Sequence, residues 1–516
     1  MPLFSMPSTR SWGIGEIPDL EPMARWLEAA GASVLQLLPI NEMEPAESSP
    51  YSAISAMAID PQFIAPERMA DFIAAGSLAR LDPEDRDTLA ALRASPRIDY
   101  RRVRPLKTRA LRAAFEHFVD RHWDRDTDRA REFASFVEAE RWWLDDYAIF
   151  RALSAHHGER PWTEWPELLR RYDRHAVDAA RESLAHDVRF YQYVQWIAGE
   201  QWTDARRAAA PVSIVGDFPF MVAVNSADVW AHQDLFRLDA SIGVPPDAFS
   251  DTGQNWGLPV YRWDAIAAQD DRWMRDRIRR SAALYDGYRI DHLVGFYRTY
   301  AIPHDGSPRY FIPEGEDAQC AQGERLMGRF IDGGSSIFAE DLGTVPDFVR
   351  ESLRRLGLPG LKIMRWERHW HDEGQAFRDP ASYPAASVAA SGTHDTEPMA
   401  AWWERATPAE RQAIGRVPTV AQLIGDRFDL ASAPYDACVR DVLLEALYAS
   451  GSNLLVLPIQ DVFGWHDRIN EPATVGDENW TYRLPWPVDR LDDTAQAHER
   501  ATRLKNWAAA YGRSQK

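Results

Sequence analysis

Cysteine is nearly absent from this 516-residue chain, which carries only Cys320 and Cys438. Two thiols build no disulfide framework, and a reducing compartment fits them. Long apolar runs are absent too. "LLVLPI" (454–459) falls far short of the roughly 20 residues that span a bilayer. The opening "MPLFSMPSTRSWGIGEI" lacks a basic region followed by an apolar stretch, so no secretory signal is expected. An excess of basic charge is likewise missing. The net charge of −19 argues against nucleic acid or an anionic membrane as partner, since both attract basic surfaces. A phosphate-cradling loop is also lacking: "WGIGEI" (12–17) precedes a helix with no strand before it. These gaps leave a cytoplasmic protein with a neutral substrate as the expectation.

What is present is core and aromatic surface. The chain is 45% hydrophobic and 27% charged, the composition of a globular protein with a sizeable interior. It holds 21 Trp, 17 Tyr and 21 Phe. Many of these rings pack in the core. Those in Gly- and Pro-containing loops also suit the flat faces of sugar rings, with a polar edge free to hydrogen-bond.

Eight short apolar segments read as strands: 33–40, 53–60, 212–220, 285–291, 335–341, 360–366, 387–395 and 452–461. From the third onward most are separated by a helical pattern, such as "VPDFVRESLRRLG" (345–357). Apolar strands alternating with helices predict a parallel sheet covered on both faces, and eight of them predict a (β/α)8 TIM barrel. An open doubly wound sheet is the alternative. The predicted organisation is a catalytic barrel from 1–60 and 207–516, with helical and loop insertions on the rim at its C-terminal face. A largely helical insertion occupies 61–206 between the second and third strands. A loop over 245–263 lies at the active site, and a closing amphipathic helix spans about 493–511.

The question posed by "GYRIDHLVGF" (287–296) is why a buried strand ends in an arginine, a carboxylate and an imidazole. Burying charge without partners is costly, so these groups are paired or stand at an open strand end. In a barrel the carboxyl ends of the strands converge on one mouth. The third, fourth, fifth and seventh segments would bring Asp217, Asp291, Glu340 and Asp395 there. Arg289, two residues before Asp291, projects to the same side of its strand. Singly, a strand-terminal Asp is more often a cap or an ion pair than a catalyst. Four at corresponding ends fit either a divalent-metal site or glycoside cleavage with retention, in which two carboxyls flank the scissile bond about 5 Å apart. The loops "PPDAFSDTGQNWGLPVYRW" (245–263), "SSPYSA" (48–53) and "DENWTYRLP" (477–485) mix aromatic platforms with amides, hydroxyls and carboxylates, which suits sugar.

At this point the chain resembles the 4-α-glucanotransferases (amylomaltases, or disproportionating enzymes) of the wider α-amylase superfamily. The likeness runs in order through "SPYSAISAMAIDP" (49–61), "WLDDYAIFRAL" (143–153), "GDFPF" (216–220), "NSADVW" (225–230), "PPDAFSDTGQNWG" (245–257), "RIDH" (289–292), "AEDLG" (339–343) and "THD" (393–395). It implies cofactor-free, metal-free retaining transfer of α-1,4-glucan segments between maltooligosaccharides. By matching motifs Asp291 resembles the nucleophile, Glu340 the general acid/base and Asp395 the third carboxylate. Arg289, His394, Asp217, Tyr51, Trp256 and Asp251 resemble substrate-binding positions, with Trp256 and Tyr51 expected as an acceptor platform and a closing element. The chain departs from the family pattern at Leu293 and Val294 after "RIDH", at Thr396 and Glu397 after "THD", and at "EPAT" (471–474). These departures bear on acceptor preference rather than on the carboxylates. A hydrolase of the same superfamily, a non-catalytic glucan-binding protein and a metal-dependent barrel enzyme are the rivals.

Overall fold

Seven short strands lie side by side, all parallel, in the computed structural model, which describes residues 1–514 apart from 247–252, 473, 475 and 477. Among the described residues the strands, in chain order, are β1 (Val34–Gln36), β2 (Ser213–Phe218), β3 (Phe236–Val244), β4 (Gln254–Tyr261), β5 (Gly287–Ile290), β6 (Thr299–Pro303), β7 (Tyr310–Ile312), β8 (Ser336–Ala339), β9 (Gly360–Ile363), β10 (Ser387–Ala390) and β11 (Leu454–Val456). The parallel sheet runs β1-β2-β5-β8-β9-β10-β11. It curls into a nearly closed barrel, with β11 and β1 facing each other across a cavity of about 620 Å³.

The strands are apolar on both faces because both faces are buried. In β2, Ile214 and Phe218 point out into the large core under the helices, while Val215 points in. The inner layer comprises Val215, Phe338, Leu361, Ile363, Val388 and Ala390. Above it the inward positions turn polar: Asp217 of β2 lies in register with Arg289 of β5, and Arg289 with Phe338 of β8. The residues that follow these strands therefore open on one mouth.

Helices cover the outside. Asp347–Leu356 buries Val349, Ser352 and Leu353, and ends at Gly357, whose φ of 69° is the left-handed C-terminal conformation that glycine adopts at least cost. The last helix, Ala495–Ala510, packs on Leu20–Ala29 and on Ala437–Tyr448.

Two sequence expectations change. Segment 53–60 is not a barrel strand. It folds back on the residues that follow β1, touching them through the antiparallel bridges Asn41–Ile59 and Met43–Ala53. Its apolar side chains, among them Ile54, Met57 and Ile59, are satisfied by that fold-back, so the barrel has seven strands rather than eight. Residues 245–263 are not simply a loop either. Gln254–Tyr261 is β4, paired antiparallel to β3 in a second sheet of order β4-β3-β6-β7 that stands beside the mouth. From Pro61 to β2 the chain is largely helical, with Tyr100–Arg121, Asp128–His156 and Ala185–Ala209 as its longest helices.

Candidate active site

Arg289 organises the mouth. Its Nε donates to Asp217 Oδ2 at 3.0 Å, and one terminal nitrogen donates to Asp291 Oδ1 at 2.7 Å and to the Tyr51 hydroxyl at 2.9 Å. The other terminal nitrogen lies 3.3 Å from Glu340 Oε2. Arg289 is 4% exposed. Burial alone would lower its pKa, but Asp217, Tyr51, Asp291 and Glu340 outweigh that and hold it charged. A planar fork of five donors is the side chain suited to hold several carboxylates at fixed angles.

Asp291 and Glu340 thus hang on two nitrogens of a single guanidinium. Glu340 Oε2 also accepts the His292 backbone N–H at 2.7 Å, and Asp291 Oδ2 is 3.4 Å from the Phe220 N–H. His292 presents that N–H from φ 42°, a left-handed backbone rare for a non-glycine residue and concentrated at functional sites. Burial raises the Asp291 pKa well above the usual carboxylate range; Arg289 opposes this, while Glu340 and Asp217 reinforce it. Burial likewise lowers His292 to about 4, against the pull of Glu340, so its ring is neutral near pH 7.

Asp395 comes from the loop after β10. Burial is the largest influence on it and pushes its pKa up. The His394 charge, hydrogen bonds from His394 and Asn470, and Arg289 together reverse this and bring it to about 2. Asn470 Nδ2 donates to Oδ1 at 2.6 Å, and His394 Nε2 lies 3.1 Å from Oδ2. Asp395 is therefore an ionised carboxylate at any working pH.

Aromatic rings frame these groups. Tyr51 stacks on His394 with centroids 5.4 Å apart and planes at 16°, and both rings lean on Trp480. The Tyr51 hydroxyl donates to Asp217 at 2.8 Å, which ties Tyr51 to the carboxylate cluster. Trp256, on β4, packs edge-to-face against His292 at 4.7 Å.

Two cavities meet at the trio. One, of about 470 Å³, is lined by Asp291, Tyr51, His394 and Trp480; the other, of about 660 Å³, by Trp366, Trp370 and Trp402 on the far side. Glu340, Asp395, Trp256 and His292 line both. Among the described residues no three His, Cys, Asp or Glu side chains are grouped to hold a metal ion.

Of the sequence candidates, Asp217, Arg289, Asp291, Glu340, Asp395, His394, Tyr51 and Trp256 meet at this mouth, while Asp251 lies outside the described residues. The sequence assigns no role to Asn470, His292 or Trp480. His292 stands within the quoted "RIDH" and Trp480 within a quoted aromatic loop, so a signal existed for both. Asn470 had none, because nothing local to "RINEP" marks it as the partner of a residue 75 positions away. The departures after "THD" line the larger cavity: Thr396 Oγ1 accepts from the Thr393 N–H at 2.9 Å and closes the turn, and Glu397 pairs with Arg405.

A family model described as 4-alpha-glucanotransferase matches residues 1–489. The 4-alpha-glucanotransferase of Thermus thermophilus is 33% identical over 513 residues, covering 95% of this chain and 96% of the relative. That of Chlamydia pneumoniae is 31% identical, with 95% and 91% covered. The solved amylomaltase of Streptococcus agalactiae in complex with acarbose is similar over 100% of this chain and 99% of its own, with a TM-score of 0.82 at 26% identity.

Proposed function

This chain belongs to the 4-alpha-glucanotransferase family, whose function it shares, and on that premise we propose that Asp291, Glu340 and Asp395 carry out a two-step retaining transfer between maltooligosaccharides. The observation that carries the reading is the suspension of Asp291 and Glu340 on one guanidinium at the boundary between two cavities. Retention needs a nucleophilic carboxylate and a carboxylic acid on either side of one glycosidic bond.

Asp291 lines only the smaller cavity, so the glycosyl unit that becomes bonded to it lies there. The leaving chain and the incoming acceptor occupy the larger one. Glu340 gives a proton to the glycosidic oxygen as an Asp291 oxygen attacks C1, and the leaving chain departs with a free 4-hydroxyl. In the second step an acceptor 4-hydroxyl attacks C1, Glu340 takes its proton, and the bond to Asp291 breaks. With Asp217, Asp291 and Glu340 all facing one positive charge, a proton held within the cluster relieves the repulsion, and it is this proton that the first step uses. Asp395, ionised throughout, suits the binding of sugar hydroxyls and the developing positive charge at C1. Transfer prevails over hydrolysis where aromatic walls orient the acceptor and exclude water, and Trp256 with the tryptophans of the larger cavity support that role. The free thiols Cys320 and Cys438 support a cytoplasmic setting for the same reaction.

The test is incubation with maltotriose in the presence of chelator, beside Asp291→Asn. Longer oligomers with released glucose are expected, with at least about a 10³-fold loss in the variant. Glucose and maltose alone would make the enzyme a hydrolase. Loss of activity on chelation would overturn the metal-free mechanism, and equal activity in the variant would remove Asp291 from its role.

A further inference from the structure

The larger cavity carries an excess of positive charge that a neutral glucan does not need. Five arginines line it: Arg298, Arg365, Arg368, Arg405 and Arg468. Its four carboxylates are already engaged. Glu340 is held by Arg289 and the His292 N–H, and Asp395 by His394 and Asn470. Glu410 pairs with Arg368 at 2.5 Å, and Glu397 with Arg405.

Three guanidiniums remain incompletely met. Arg298 lies 4.3 Å over the Phe311 ring and has no ion pair among the described residues. Arg365 is 7% exposed, reaches the Ser391 carbonyl at 3.2 Å, and stands 3.9 Å from Glu397. Arg468 donates to the Asp395 carbonyl and touches the exposed Glu471 at 3.3 Å. In each of the three the Nε is buried without a hydrogen-bond partner among the described residues. These three guanidiniums line one cavity without a carboxylate closely paired to each, so the charge they bring there is available to an anionic group of a ligand. Burial lowers the Arg365 pKa to about 10, against the pull of Asp461 and Tyr435 and with a smaller push in the same direction from Arg405 and Arg468.

We propose that the acceptor cavity takes sugars bearing an anionic substituent, a phosphate ester or a carboxylate, with Arg298, Arg365 and Arg468 holding the charge while a free 4-hydroxyl faces Glu340. This rests on the transfer reading above. The chemistry is unchanged: the acceptor 4-hydroxyl bonds to C1, its proton passes to Glu340, and the ester to Asp291 breaks. The product is an α-1,4-glucan whose reducing end is charged.

The experiment supplies maltotriose as donor with glucose, glucose 6-phosphate or glucuronate as acceptor, in a phosphate-free buffer of low ionic strength. Charged products are separated by anion exchange. Charge-assisted hydrogen bonds of this kind predict a kcat/KM for at least one anionic acceptor about tenfold above that for glucose. That advantage is expected to shrink as salt is raised, and the ratio to fall about tenfold in Arg298→Gln. Preference for glucose 6-phosphate identifies a phosphate site, and preference for glucuronate a carboxylate site. A ratio near one that salt does not move overturns the inference while leaving glucan transfer intact, provided the maltotriose ladder forms. Absence of that ladder overturns the transfer reading itself. An advantage that persists unchanged in Arg298→Gln and at high salt also overturns it, because the charge would then be read elsewhere.

Discussion

At the scale of single residues, the site is governed by what holds each charge. Asp395 shows the balance: burial drives it toward protonation, yet two neighbours and Arg289 keep it at about 2. Asn470 is one of those neighbours and touches none of the other acidic groups in the cluster. Asn470→Ala removes one hydrogen bond to a charged group, worth about 1.5–3 kcal/mol. The expected result is a loss of roughly 10- to 100-fold in kcat/KM on maltotriose. Because the Asp395 pKa is held down by that bond, its loss moves that pKa up from about 2, which a titration of the Asp395 carboxyl by NMR reads directly. A variant within twofold of the parent, with an unmoved Asp395 titration, would show that Asn470 has no part in positioning Asp395. The identity of the three carboxylates was legible in "RIDH", "AEDLG" and "THD". Their common anchor was legible only in part. Arg289 could be assigned to Asp291 from their two-residue spacing, but its simultaneous contacts with Asp217, Glu340 and Tyr51 depend on residues up to 238 positions apart.

Elements fix where those residues point. Alternation along β2 and β5 puts Asp217 and Arg289 inside the barrel, and strand ends put Asp291 and Glu340 at the mouth. The hairpin of β3 and β4 sets the opposite wall by carrying Trp256. At Gly243, on β3, a Cβ would meet the Gln254 carbonyl oxygen of β4 at 2.0 Å. Gly243→Val is therefore expected to push β4 away and displace Trp256 from His292. The barrel lies on a different sheet, so thermal stability should fall by only about 1–3 kcal/mol, as for other overpacking changes. The ratio of transfer to hydrolysis should fall clearly. Product analysis together with a melting curve checks this, and an unchanged ratio would mean that the hairpin does not shape the acceptor side. This wall was the least legible part of the sequence. "PPDAFSDTGQNWGLPVY" reads as a loop because its Gly and Pro content hides the strand, and only pairing with β3 reveals β4.

For the molecule as a whole, the barrel depends on buried polar groups that titrate. Asp228 accepts the Ala56 N–H at 2.6 Å and so ties the 53–60 segment to the helix Ala227–Ala231. Burial raises its pKa to about 7, opposed by that hydrogen bond and by Arg277. A carboxyl with a raised pKa binds its proton more tightly when folded, so between about pH 4 and 7 the native state holds more protons than the unfolded chain. Stability from this group is full below pH 4 and is lost as pH rises toward 7. Asp228→Asn keeps an acceptor for the Ala56 N–H and removes the titration. Relative to the parent, its stability is expected to gain with rising pH across that window, as read by denaturant unfolding at several pH values. Parallel curves for the two proteins would sink the assignment.

The sequence by itself determined the apolar strands, the helices between them and the carboxylates at strand ends, because these follow from local periodicity and from side-chain chemistry. Tertiary structure alone decided that 53–60 folds back instead of joining the barrel, that a second sheet walls the mouth, and that Asn470 holds Asp395. Each of these turns on which distant backbone or side chain completes a hydrogen bond, and local pattern carries no information about a partner that folding has yet to bring near.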